Sequence, residues 1–149
     1  MKRINGLIII VLISLCTACQ KEKEDYRDTW AANYDITIIE YTDYGDTTSG
    51  CGDVEITFQT YGRIFYDNHI NDNELVLEYN IYDRTYHIFK LDGKNGNFIS
   101  SQDGENYEKG NISTDGTLFY EKRTRVNEQN IITTTIKGVR LSDDIVVII

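Results

Sequence analysis

The chain has 149 residues, 24 acidic against 15 basic, for a net charge of −9, and it contains eleven Tyr and no Pro. Such a charge repels phosphate backbones, so no nucleic-acid partner is expected. The length suits one domain of ordinary size with a core of its own.

Lys2 and Arg3 open the chain, Gly6 to Leu15 is an apolar run of ten broken only by Ser14, and the small pair Thr17-Ala18 follows. A positive start, a short apolar run and small residues make a secretory signal peptide. A spanning helix needs about 20 apolar residues, and here charge returns at Lys21. The segment Leu15-Cys16-Thr17-Ala18-Cys19 resembles the bacterial lipobox. That resemblance implies diacylglycerol on Cys19, cleavage before it and acylation of the new amino terminus. One position departs from the pattern: the usual Leu three residues before the cysteine is Cys16, with Leu15 one step earlier. Modifying Cys16 instead would put the bulky Leu15 where a small residue is required.

The charged stretch Gln20-Lys21-Glu22-Lys23-Glu24-Asp25 resembles the lipoprotein export signal of Bacteroidetes-type bacteria. This implies an outer-membrane protein, held by lipid and displayed at the surface. The same residues also read as a solvated tether, because charges without apolar periodicity do not pack. Removing residues 1–18 leaves 131, and the loss of Lys2 and Arg3 takes the net charge to −11. With Cys16 removed and Cys19 lipidated, Cys51 stands alone, so no intramolecular disulfide is possible and burial of the thiol is expected. The expected organisation is a signal peptide over 1–18, the lipidated cysteine and tether over 19–29, and one β domain over 30–149.

Aromatic and β-branched residues favour pleated, half-buried surfaces. A first strand is expected near Tyr34 to Thr42, with Ile36 and Ile38 on one face. Val54, Ile56 and Phe58 alternate with Glu55, Thr57 and Gln59 in a second, which bends at Gly62 and continues to Tyr66. Glu74 to Tyr82 and Thr85 to Leu91 follow, and Asp92-Gly93-Lys94-Asn95-Gly96 makes a tight loop. Asn97 to Gln102 and Tyr107 to Ser113 are weaker, and Thr114-Asp115-Gly116 opens a last hairpin of Thr117 to Val126 and Asn130 to Leu141. Gly after Asp or Asn supplies the positive φ such turns need. The expected fold is therefore all-β, an antiparallel meander of about eight strands forming a small barrel or a sandwich. The charge and the missing outward apolar band exclude a transmembrane barrel.

From Trp30 onward the chain resembles the small lipocalin-like lipoproteins of Bacteroidetes-type bacteria, on the pattern Trp30-Ala31-Ala32-Asn33-Tyr34-Asp35-Ile36-Thr37-Ile38. The resemblance implies that a basic residue of the last strand covers the Trp of the first, and the candidates are Arg140 and Trp30. Asp28 stands where that family usually has Gly. The other reading is that Trp30 alone plugs the barrel end.

His69 lies in a polar turn and His87 on a strand, and neither sits in a nucleophile motif, so no enzyme and no cofactor are expected. Asp67 to Glu74 is rich in oxygen ligands but lacks the spacing and central Gly of a calcium loop, so no metal is expected and a solvated turn is. Lys122-Arg123-Thr124-Arg125 alternates between faces and reads as a solvated ladder. Residues 145–149 (Ile-Val-Val-Ile-Ile) read as a short last strand. Two functions are expected: binding of an extracellular small apolar molecule or glycan in an interior lined by Tyr79 and Tyr86, or protein interaction through a filled barrel. An empty interior favours the first and a packed one the second.

Overall fold

The computed structural model describes residues 25–45, 52–66 and 71–142; Cys19 and the rest of the leader, Cys51, His69 and residues 145–149 lie outside them. Eight antiparallel strands form one sheet: β1 Ala32–Asp43, β2 Val54–Phe65, β3 Glu74–Asn80, β4 Arg84–Lys90, β5 Ser101–Asp103, β6 Asn106–Ile112, β7 Thr117–Arg125 and β8 Ile131–Arg140. Their order is β4-β3-β2-β1-β8-β7-β6-β5, so chain neighbours pair throughout and β8 returns to lie along β1. This is the up-and-down connectivity of a small barrel. One curled sheet carries all eight strands, which gives a half-barrel.

The alternation expected on β1 and β2 sets the inner face. Tyr34, Ile36 and Ile38 are buried, and Ile38 lies opposite Phe58 on β2 and Ile136 on β8. Leu75, Leu77, Phe89, Ile112, Leu118 and Tyr120 belong to the same core, with Trp30, Ile64, Leu91 and Phe98. Each such side chain contributes about 1.5–3 kcal/mol relative to exposure. Gly62 keeps β2 close to its neighbours at the expected bend, since a Cβ there would meet Ile36 Cδ1 and the Glu78 carbonyl at 3.0 and 3.1 Å.

The two sheet edges, β4 and β5, meet at one end only. Asn97 and Phe98 form single bridges to Asn111 and Leu91, and the Ile99 N–H donates to the Lys90 carbonyl at 2.6 Å. This corrects the strand expected over Asn97 to Gln102: only Ser101–Asp103 joins a ladder. The cause is Phe98, which leaves the strand path to stack on Phe89 at 4.4 Å in the core. Beyond this stitch no backbone hydrogen bond joins β4 to β5 among the described residues.

Asp25 to Thr29, expected in the tether, instead dock on the closed end as a 3₁₀ turn, Tyr26–Thr29, capped by Asp25. Arg27 is buried there. It pairs with Asp25 at 2.6 Å, donates to the Asn71 carbonyl at 3.1 Å and lies 4.3 Å from the centre of the Tyr66 ring. The Tyr66 hydroxyl in turn donates to Asp28 at 2.5 Å.

Candidate functional site: the open mouth of the half-barrel

Side chains on the inner face change character along the strands. Ile36, Ile38, Leu118 and Ile136 are at most 2% exposed, whereas Val54 and Ile56 on the same face are 41% and 46% exposed. Glu40, Lys122 and Thr124 share the inner parity of Ile38 and Tyr120 and are exposed too. The interior is thus packed at the closed end and wet at the other.

Tyr79, His87 and Tyr120 form the floor of this mouth. The Tyr79 hydroxyl and His87 Nε2 share a hydrogen bond at 2.9 Å, and their rings stack with centroids 5.6 Å apart. The Tyr120 ring lies 5.8 Å from His87 and 5.0 Å from Phe89. Burial pushes the Tyr79 hydroxyl up to about 12, with Glu40 adding to the rise. Burial, then Glu108, raises Tyr120 as well. His87 moves the other way: burial, then Lys122, lower its pKa against the opposing pull of Glu108. Near neutral pH the floor therefore carries two protonated phenols and a neutral imidazole.

The ladder register sets Glu40, Thr134, Lys122, Glu108 and Ser101 in a row across β1, β8, β7, β6 and β5. The row continues onto β2 at Ile56, directly beside Glu40, with Val54 and Phe58 along the same strand, and Tyr82 packs edge-on against Phe58 at 6.0 Å. A concave site with an apolar wall and a few convergent polar groups is the usual form of a small-molecule site.

The expected site residues fall in different places. Tyr79 faces inward, but Tyr86 does not: Tyr79 lies opposite Thr85, so Tyr86, opposite Glu78, has the other parity. It is 52% exposed on the outer face and its hydroxyl donates to Glu78 at 3.2 Å. Trp30 is buried at the closed end, and Arg140 comes to the same end, where its Nη1 donates to the Thr29 carbonyl at 3.1 Å. The basic run splits as expected, with Arg125 paired to Glu105 outside and Lys122 facing in. Of the polar turn, Asn71 and Glu74 hydrogen-bond each other at 2.8 Å, while Asp67 to Ile70 lie outside the described residues.

Two grooves lie elsewhere on the surface. One of about 390 Å³ crosses the outer face at Thr37, Gln59, Phe119 and Lys137, and one of about 340 Å³ runs beside β5 and β6 at Gln102, Tyr107 and Lys109.

Fold and site together define an all-β half-barrel domain with an amphipathic mouth. No protein-family model matches the chain, and no curated protein sequence matches it either.

Proposed function

We propose that this is an exported lipoprotein, anchored through Cys19, whose half-barrel binds a small extracellular ligand at its open mouth. The observation that carries the binding reading is the solvent exposure of inner-face residues over a buried Tyr79–His87–Tyr120 floor. The packed lower interior argues against a deep apolar cavity, so the ligand is one that sits in a shallow cup: amphipathic, with a flat apolar face and polar edges, as glycans have.

The anchor also gives the domain an orientation. Asp25 begins the turn docked at the closed end, and six residue steps from Cys19 reach at most about 20 Å. The closed end then faces the bilayer and the mouth faces away from it. Several acyl chains make such anchoring effectively permanent. Cys19→Ser is expected to move the protein to the soluble fraction, and persistent membrane association would refute the anchor. Protease added to intact cells is expected to cut the surface-displayed domain.

For the ligand, a thermal-shift screen of glycans and small apolar molecules is the direct test. A specific rise in melting temperature supports the cup, and a flat response favours the second reading, a protein-interaction module. That second reading has its own support on the outer face of β4, where Tyr86 and Ile88 are each more than half exposed. Aromatic residues of this kind are common at interface centres.

A further inference from the structure

The inference deepens the protein-interaction reading above and is independent of any ligand in the mouth. Strand β4 ends the order of the sheet, so one row of its backbone N–H and C=O groups points away from β3. Among the described residues no backbone hydrogen bond answers that row from Arg84 to Phe89; the first comes at Lys90, whose carbonyl accepts from the Ile99 N–H. Along the same run Arg84, Tyr86 and Ile88 alternate on the outer face, and each is more than half exposed.

The charge of this run is the reverse of the domain's. Glu78 lies buried opposite Tyr86, and its carboxylate holds Arg84 Nε at 3.1 Å, Arg63 Nη2 at 2.9 Å and the Tyr86 hydroxyl at 3.2 Å. One carboxylate thus serves two guanidiniums, and the exposed charge beside Tyr86 is positive in a chain of net charge −9. The carboxylates next along the chain, Asp83 and Asp92, stand in the turns beyond the two ends of β4.

We propose that the open edge of β4 takes an extended acidic segment of a partner protein, which adds to the sheet as a strand, sets a carboxylate against Arg84 and rests apolar side chains on Tyr86 and Ile88. In strand addition the main-chain hydrogen bonds supply affinity and the alternate side chains supply specificity. Arg84 suits the role because Glu78 already ties down its guanidinium, so less freedom is lost when a second carboxylate binds. Arg and Tyr are also the residues that most often carry the energy of an interface. A second copy of β4 would bring only Arg, Tyr and Ile on the outer face of the same run, and no carboxylate for Arg84. The counter-charge must come from a different chain.

The probe is the end-blocked peptide Glu-Thr-Val-Thr-Val-Thr-Glu, which reads the same in both directions, beside its counterpart with Gln for Glu. Each is labelled and titrated by fluorescence anisotropy into the detergent-solubilised full-length protein, and amide exchange read by mass spectrometry locates it. The acidic probe is expected to bind at least about tenfold tighter than the neutral one and to slow exchange over Arg84 to Phe89. Arg84→Gln is expected to weaken the acidic probe severalfold and leave the neutral one unchanged, with unchanged Trp30 emission as the sign of an intact fold. Equal affinity of the two probes, both protecting β4, overturns the acidic partner and leaves the interaction reading standing. Protection of β4 that grows with protein concentration in the absence of probe assigns the edge to a second copy and overturns the proposal. Binding without protection of β4 overturns it too, and if neither probe binds the interaction reading falls with it.

Discussion

Tyr79 and His87 share a 2.9 Å hydrogen bond although they are diagonal neighbours on the β3–β4 ladder, where His87 lies directly opposite Leu77 and Tyr79 opposite Thr85. Diagonal pairs are within reach of aromatic side chains, and here the contact ties the imidazole into the floor of the mouth.

That tie makes stability depend on pH in a definite direction. Burial and Lys122 lower the pKa of folded His87 from the ordinary 6.5, with Glu108 opposing them. The unfolded chain therefore binds a proton first as the pH falls. Stability is full where both states are neutral, declines as the pH drops through the ordinary His value, and levels off below the folded value. The imidazole resonance of His87 is expected to titrate with a midpoint below 6.5, and His87→Gln to remove this part of the pH dependence of Tm. A midpoint at or above 6.5 would show that burial and Lys122 do not outweigh Glu108.

Gly96 and Gly93 belong to one loop and both have positive φ, +75° and +71°. They differ in surroundings. A Cβ on Gly96 would lie 2.2 Å from the Ile112 carbonyl oxygen and 3.0 Å from the Trp30 ring, whereas one on Gly93 meets nothing within 4 Å. Gly93→Ala is expected to cost only the backbone term, roughly 1–2 kcal/mol. Gly96→Ala adds displacement of Trp30 or loss of the Ile112 N–H bond to the Gly96 carbonyl, bringing the cost to about 3 kcal/mol or more. Denaturant unfolding of the two variants side by side checks the difference.

Much of this architecture is legible in local pattern. The alternation of Val54, Ile56 and Phe58, and the Gly-bearing turns, place strands within a few residues of their observed ends, because period 2 and positive φ are properties of short segments. The mouth is less legible. Glu40, Lys122 and Tyr120 could each be put on the inner face by counting in twos from Ile38 and Leu118. The approach of Lys122 and Tyr120 to His87, and of Glu40 to Tyr79, is set by the pairing register of distant strands, which no local segment carries. Tyr86 shows the cost of reading composition without parity: one residue of offset in the β3–β4 turn sends it to the outer face. The departure of Phe98 from its strand was hidden for a similar reason, since its cause is a long-range stack on Phe89.

Arg27 is expected to resist conservative replacement. Its guanidinium contacts both Asp25 carboxylate oxygens, the Asn71 carbonyl and the Tyr66 ring at once. A lysine ammonium cannot reproduce that planar fork. Arg27→Lys should cost about 2–3 kcal/mol by chemical denaturation, less than the upper range for a broken buried pair, because Asp25 is 26% exposed and can be hydrated. Limited proteolysis should then cut between the tether and Trp30 while the sheet stays intact. Cleavage no faster than wild type would show that the 3₁₀ turn is held by Tyr26 and Tyr66 instead.

Glu78 tests the opposite case, a buried carboxylate on the outer face with exposed partners. It is 5% exposed and contacts Arg63 at 2.9 Å, Arg84 at 3.1 Å and the Tyr86 hydroxyl at 3.2 Å, yet both arginines are more than half exposed. Removing the carboxylate therefore leaves no charge stranded away from water. Glu78→Gln keeps the shape and one hydrogen bond, and its expected cost is about 1–2 kcal/mol, well below the 3–5 kcal/mol of a pair whose surviving partner is buried. Glu78→Ala removes the side chain that fills the space between β2 and β4 on that face and should cost more, since packing is lost with the charge. A double-mutant cycle of Glu78→Gln with Arg63→Gln measures the pair itself. Coupling of about 1 kcal/mol or less is expected because Arg63 also rests on the Phe65 ring at 4.9 Å, a contact that survives loss of the carboxylate.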